Sequence, residues 1–177
     1  MINIIPEKID FQKDIDNNYN KLSSAINNSC VLVIGGAGTI GSSYIKQILN
    51  YKPSKIFVVD VNENGLTELT RDLRSSHLLD YNPEYVTYPV NLLSDTFDKI
   101  FYSNNWDIVS NFSAHKHVRS EKDKISVEAL IKNNVFGAIK LLNLCEKNSP
   151  NYFFSVSTDK AANPVNIMGA SKSLMEK

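Results

Sequence analysis

Two stretches of this chain carry residue types whose order could do chemistry. In Gly35-x-x-Gly38-x-x-Gly41, three glycines follow the apolar run Val31-Leu32-Val33-Ile34. They lead into Ser42 to Leu49, where Tyr44, Ile45 and Ile48 are apolar positions of a helix. Strand, glycine turn and helix start, in that order, make a cradle for a diphosphate. The turn must be tight, the backbone must approach the phosphates, and the helix N-terminus offers unpaired N–H groups with partial positive charge. Asp60 closes the apolar run Ile56-Phe57-Val58-Val59, about twenty residues past the last glycine. A carboxylate there would accept hydrogen bonds from an adenosine ribose. A P-loop is excluded, because Ser42 and Ser43 follow Gly41 where Lys and then Ser or Thr are required. The second stretch is Phe153-Phe154-Ser155-Val156-Ser157-Thr158-Asp159-Lys160, an apolar strand running straight into hydroxyl, hydroxyl, carboxylate and amine. At the carboxyl edge of an open α/β sheet, those four groups would face the nicotinamide end of a dinucleotide. The plainer alternative is a polar turn, with Ser157 or Thr158 as the cap of the next element.

The elements that must position these groups emerge from the same periodicities. Strands are predicted over 30–35, 55–60, 85–90, 107–111 and 151–157. Helices are predicted over 39–50, 63–75, 93–103, 126–147 and from about 168 onward. Strands alternating with helices of this length build βαβ units on a parallel sheet. The fold class is therefore α/β, a Rossmann-type doubly wound parallel sheet. Residues 1–29 are polar, with Ile15, Tyr19, Leu22 and Ile26 at helical spacing, and read as a lead-in helix and linker. Residues 30–177 then form one dinucleotide-binding domain. Its last helix has barely begun at Lys177, so the C-terminal substrate region is expected to be missing.

Length and charge narrow the roles further. A chain of 177 residues fits one domain. Nineteen Lys and Arg balance nineteen Asp and Glu, and no basic stripe with interleaved aromatics occurs, which argues against nucleic acid. No apolar run approaches the ~18 residues of a membrane span, and no signal-peptide core opens the chain. Cys30 and Cys145 stand singly in or beside apolar segments and read as buried free thiols in a reducing, cytoplasmic compartment. His115 and His117 lack partners at ligand spacing, so no metal is expected.

From about Cys30 onward the chain resembles the extended short-chain dehydrogenase/reductases. Within them it is similar to the nucleotide-sugar 4,6-dehydratases of the polysaccharide-biosynthesis (CapD-type) group. The glycine triplet, Asp60-Val61-Asn62-Glu63, Ala114-His115-Lys116-His117-Val118 and Asn134-Val135-Phe136-Gly137 carry the likeness. Its most specific part is Ser157-Thr158-Asp159-Lys160-Ala161-Ala162-Asn163-Pro164, continued by Asn166-Ile167-Met168-Gly169-Ala170-Ser171-Lys172. The resemblance implies an NAD-dependent lyase acting on a UDP-N-acetylhexosamine in surface polysaccharide or glycan biosynthesis, assembled as a homo-oligomer. In such a reaction hydride leaves C4 of the sugar, water is eliminated across C5 and C6, and hydride returns to C6. By the family pattern Thr158 binds the 4-hydroxyl, Asp159 protonates the departing 6-oxygen and Lys160 takes the 5-proton. Lys172 contacts the nicotinamide ribose and lowers a neighbour's pKa by its charge. The cofactor is expected against Gly35, Gly38, Thr39, Ile40, Gly41, Asp60, Asn62, Asn91, Leu92, Ser113, Ala114, Lys116, Asn134, Ser157 and Lys172.

Met168 departs from the Tyr-x-x-x-Lys pattern of the wider superfamily, though it is similar to what larger CapD-type members carry. Methionine cannot relay a proton, so removal of the 4-hydroxyl proton falls to Asp159, through Thr158 or a water. Asp60 favours NAD over NADP, because a carboxylate bonds the ribose diol and repels a 2′-phosphate. Asn91 stands where the family has an Asp before a hydrophobe, here Leu92, around the adenine; a strand-ending turn residue is the alternative. Asn134 sits on an otherwise apolar helical face and needs partners, either a neighbouring strand's backbone or, through water, the nicotinamide. Two rival functions stay open. A nucleotide-sugar 4-epimerase has no elimination step to use Asp159 and Lys160, and a non-catalytic NAD-binding module is consistent with Met168 and the abrupt C-terminus.

Overall fold

The computed structural model describes residues 11–115 and 123–177. Five parallel strands form its frame: β1 (Cys30–Ile34), β2 (Lys55–Asp60), β3 (Glu84–Pro89), β4 (Ile108–Asn111) and β5 (Tyr152–Ser155). They lie in the order β3-β2-β1-β4-β5. Val33 sits beside Val58 on one flank and Ser110 on the other, so the central strands end at one level. Strand order reverses at β1, which opens a crevice beyond the carboxyl ends of β1 and β4. Ligands of open α/β sheets bind at such a switch point.

Helices cover both faces, and the pleat of the strands decides which side chain goes where. Cys30, Leu32 and Ile34 enter one core with Phe97 and Phe101 of α5 (Asp95–Tyr102) and Leu141 and Leu144 of α7 (Gly137–Asn148). Val31 and Val33 enter the other with Ile45 and Ile48 of α3 (Thr39–Leu49) and Leu66, Leu69 and Leu73 of α4 (Glu63–Ser75). All five β1 residues are buried, which is why this strand reads as an unbroken apolar run. Each buried Leu, Ile or Phe contributes about 1.5–3 kcal/mol, against about 1 kcal/mol net for a hydrogen bond. Burial therefore makes β1 central. This is the doubly wound sheet that the alternation of elements predicts.

Three predicted boundaries differ from the observed ones. The helix expected over 126–147 is two helices, α6 (Lys124–Ile131) and α7, joined by a π-helical turn at Lys132–Phe136. Asn134, in that turn, is buried and bonded to the loop after β4 and to α8 (Ile167–Met175). β5 ends two residues early: the Val156 amide still donates to Asn111 O (2.9 Å), but the Val156 carbonyl turns to accept from Lys172 Nζ (2.8 Å). Ahead of β1 stand two short helices, α1 (Phe11–Asn17) and α2 (Tyr19–Ile26), rather than a helix and a linker. Ile26 is buried and Leu22 packs on the same core, whereas Ile15 and Tyr19 stay exposed, Tyr19 against Tyr51 with ring centroids 5.6 Å apart. No described helix is long and apolar enough to cross a membrane.

Candidate functional site

The glycine loop occupies the crevice mouth. Gly35, at φ +77°, bonds Val59 O through its amide (2.7 Å), and a Cβ on it would stand 2.5 Å from Ser113 N. Glycine there lets β1 and β4 close together at the switch point. Gly41 is packed as tightly, since its Cβ would meet Gly35 O at 2.4 Å. Gly38 differs: it precedes Thr39 at the start of α3 in extended conformation, and a Cβ would meet nothing nearer than Gly35 O at 3.4 Å. Among the described residues nothing else comes within 4 Å of that position, which adjoins first-turn amides that have no intrahelical partner and could bind a phosphate.

Asp60 is held at the same mouth by two backbone amides, Ala37 N to Oδ2 and Asn62 N to Oδ1, both 3.0 Å. It lines the crevice with Gly35, Gly38, Asn91, Ser113 and Ala114, while Val61, Val90 and Leu92 supply apolar wall. Backbone cradle, carboxylate and apolar wall together fit diphosphate, ribose and adenine of a dinucleotide. Asn91 accepts from Leu93 N (2.8 Å), and Ser113 donates through both N and Oγ to Asn111 Oδ1 (3.0 and 2.7 Å). Asn62, expected at the cofactor, is not among the lining residues. Its side-chain oxygen caps α4 by accepting from Gly65 N (3.0 Å). Lys116 and His117 lie outside the described residues.

Asn134 spends its amide on the protein. Oδ1 accepts from His115 N (2.9 Å), and Nδ2 reaches His115 O (3.1 Å) and Ser171 Oγ (3.0 Å). The backbone bonding that the sequence offered as one reading is present, although the backbone belongs to the loop after β4 rather than to a strand. Asn134 thereby ties that loop to α8.

A second crevice lies beyond β5 and adjoins the first, with Phe112 and Ala114 lining both. Ile40, Ser157, Thr158, Lys160, Met168 and Lys172 border it. Thr158 caps a short 3₁₀ turn, Asp159–Ala161, and donates from Oγ1 to Asp159 Oδ1 (2.9 Å). Asp159 and Lys160 are exposed. Lys172 is buried, with Nζ on Val156 O (2.8 Å) and Met175 Sδ (3.4 Å). Burial pushes its ammonium pKa down, and the charge of Glu176 opposes that shift. Met168 is buried in the wall where the superfamily has tyrosine.

Sequence reasoning missed several contributors. Glu176 accepts from the Ser157 hydroxyl; its spacing of four from Lys172 on a helix was the available signal. Phe112 packs against Tyr44 and Phe154 at 5.0 and 5.6 Å between ring centroids, and no periodicity could reveal that cluster. Among the described residues no group of three or more His, Cys, Asp or Glu gathers as a metal site would require.

Comparison with known proteins matches residues 31–177 to the family described as polysaccharide biosynthesis protein. An uncharacterized membrane protein of Methanocaldococcus jannaschii is 32% identical over 90% of this chain and 45% of its own length. An inverting UDP-N-acetylglucosamine 4,6-dehydratase of Campylobacter jejuni is 32% identical over 85% of this chain and 42% of its own length. The Bordetella bronchiseptica enzyme WbmF, solved with NAD+ and UDP, superimposes with a TM-score of 0.63 at 19% identity, covering 87% of this chain and 45% of WbmF. At that identity the likeness concerns the fold. The chain spans less than half the length of these proteins.

Proposed function

Because the chain belongs to the polysaccharide biosynthesis protein family, we propose that it forms the NAD-binding and proton-transfer part of a UDP-N-acetylhexosamine 4,6-dehydratase. The observation that carries this reading is the turn Thr158-Asp159-Lys160 just after β5, where Thr158 and Lys160 line a crevice adjoining that of the glycine loop. The chemistry supplied by a bound nicotinamide is the temporary removal of hydride from C4 of the sugar and its return to C6. Gly38, Asp60 and the first turn of α3 hold diphosphate and ribose, and the carboxylate favours NAD over NADP. Lys172 bonds the nicotinamide ribose.

The proton balance needs two groups that each give back what they take. Asp159, reached through the Thr158 hydroxyl that already donates to it, accepts the proton of the 4-hydroxyl. It then gives that proton to the 6-oxygen, which departs as water. Lys160 removes the C5 proton that the 4-ketone has made acidic, then reprotonates C5. Met168 takes no part in these transfers.

The test is incubation with UDP-N-acetylglucosamine and NAD, followed by mass spectrometry. A sugar nucleotide lighter by one water is expected. Lys160→Ala abolishes that product and leaves NADH affinity unchanged. Turnover surviving Lys160→Ala overturns the proton-transfer assignment, and NADH binding without turnover of any UDP-sugar favours a binding module instead.

A further inference from the structure

The turn that carries Thr158, Asp159 and Lys160 is tied to the end of α8 residue by residue. Ser155 Oγ donates to Met175 Sδ (3.4 Å), Val156 O accepts from Lys172 Nζ (2.8 Å), and Ser157 Oγ donates to Glu176 Oε1. Lys172 and Glu176 are four residues apart, so they stand one above the other at the C-terminal end of α8. At the other end of the turn, Gly169 packs so closely that a Cβ on it would lie 2.7 Å from Lys160 O. The turn is thus held at two points, by backbone contact at Gly169 and by a side-chain bond at Glu176. Among the described residues no carboxylate pairs directly with Lys172, whose ammonium bonds a carbonyl and a thioether.

We propose that Glu176 is a positioning residue of this site: its carboxylate anchors the Ser157–Lys160 turn to α8 and sets a negative charge beside the buried Lys172 ammonium. The role in nucleotide binding rests on the reading of Lys172 as the lysine of the nicotinamide ribose. Burial alone disfavours a charged Lys172, and Glu176 supplies the opposing field. Elements packed against α8 carry other ionisable groups: Asp159 and Lys160 on the turn, Lys124 and Glu128 on α6, and Lys132 on the π-helical turn. Glu128 and Lys132 pair with each other at 2.5 Å. Lys177 adjoins Glu176 at the end of the chain.

Two substitutions separate the charge of Glu176 from its hydrogen bond. Glu176→Gln keeps an oxygen for the Ser157 hydroxyl and removes the charge, while Ser157→Ala keeps the charge and removes the bond. The titration of Lys172 is read by NMR on lysine-labelled protein, and NADH affinity is followed against pH by fluorescence. Glu176→Gln is expected to lower the Lys172 midpoint on the order of half a pH unit, a modest shift because Glu176 is exposed. The alkaline limb of NADH binding moves with it. Ser157→Ala leaves the midpoint in place and speeds amide exchange at Thr158, Asp159 and Lys160. An unmoved midpoint in Glu176→Gln, or unchanged exchange in Ser157→Ala, overturns the proposal. Failure of the wild-type chain to bind NADH at any pH would sink the nucleotide reading instead, and the Lys172 midpoint would still judge Glu176.

Discussion

At Gly38 and Gly41 the same residue type serves two ends, and substitution can tell them apart. A methyl group on Gly38 makes ordinary contact with Gly35 O at 3.4 Å and projects where the proposed diphosphate lies. Gly38→Ala is expected to change stability by less than about 0.5 kcal/mol. It should weaken NADH binding roughly tenfold or more, equivalent to ~1.4 kcal/mol. The same change at Gly41 puts a methyl group 2.4 Å from Gly35 O, so Gly41→Ala costs about 2 kcal/mol or more in a urea titration. Wild-type NADH affinity in Gly38→Ala would place the phosphates elsewhere. The spacing of the glycines was legible from the chain, but which of them serves the ligand and which the packing was not. That distinction depends on how the loop folds back on Gly35, whose own place is set by Ser113 and Phe112 after β4.

Among the elements, the segment from Lys124 to Asn148 is the most instructive. Its apolar spacing predicts a continuous helix, and a π-helical turn interrupts it at the one buried amide. Nothing local could announce the interruption, because the partners of Asn134 are 19 and 37 residues away in sequence. Asn134→Ala leaves the His115 N–H and C=O without their partner and should cost about 2 kcal/mol or more by denaturant titration. Asn134→Asp keeps an acceptor for His115 N but buries a carboxylate against the His115 carbonyl, so near neutral pH it should cost at least as much. A loss below about 0.5 kcal/mol for Asn134→Ala would mean that the loop after β4 is held by other contacts. The early end of β5 has a similar origin, since the Val156 carbonyl is claimed by a lysine on a helix that comes later in the chain.

Over the whole molecule, the core on the α5 and α7 side encloses both cysteines, and burial raises each thiol to about 11. Neither should react with a thiol reagent near pH 8 until the chain unfolds. A raised thiol pKa means that the folded state keeps a proton which the unfolded chain releases from about pH 9 upward. Stability is therefore full below that pH and declines as pH rises toward about 11. The urea midpoint should drop between those limits, and replacing both cysteines with alanine should remove the part of the decline nearest pH 9. Rapid labelling of the native protein at pH 8 would contradict this burial.

By itself the sequence determined the parallel α/β sheet, the glycine turn after β1, the acid that ends β2 and the polar turn after β5. Each of these is written in a short run of residues whose periodicity or backbone demand is local. Tertiary structure alone decided that Asn134 joins a loop to α8 and that Glu176 meets Ser157. Those duties depend on distance and direction between side chains whose carriers are brought together by sheet order and helix packing, and no local spacing encodes such an encounter.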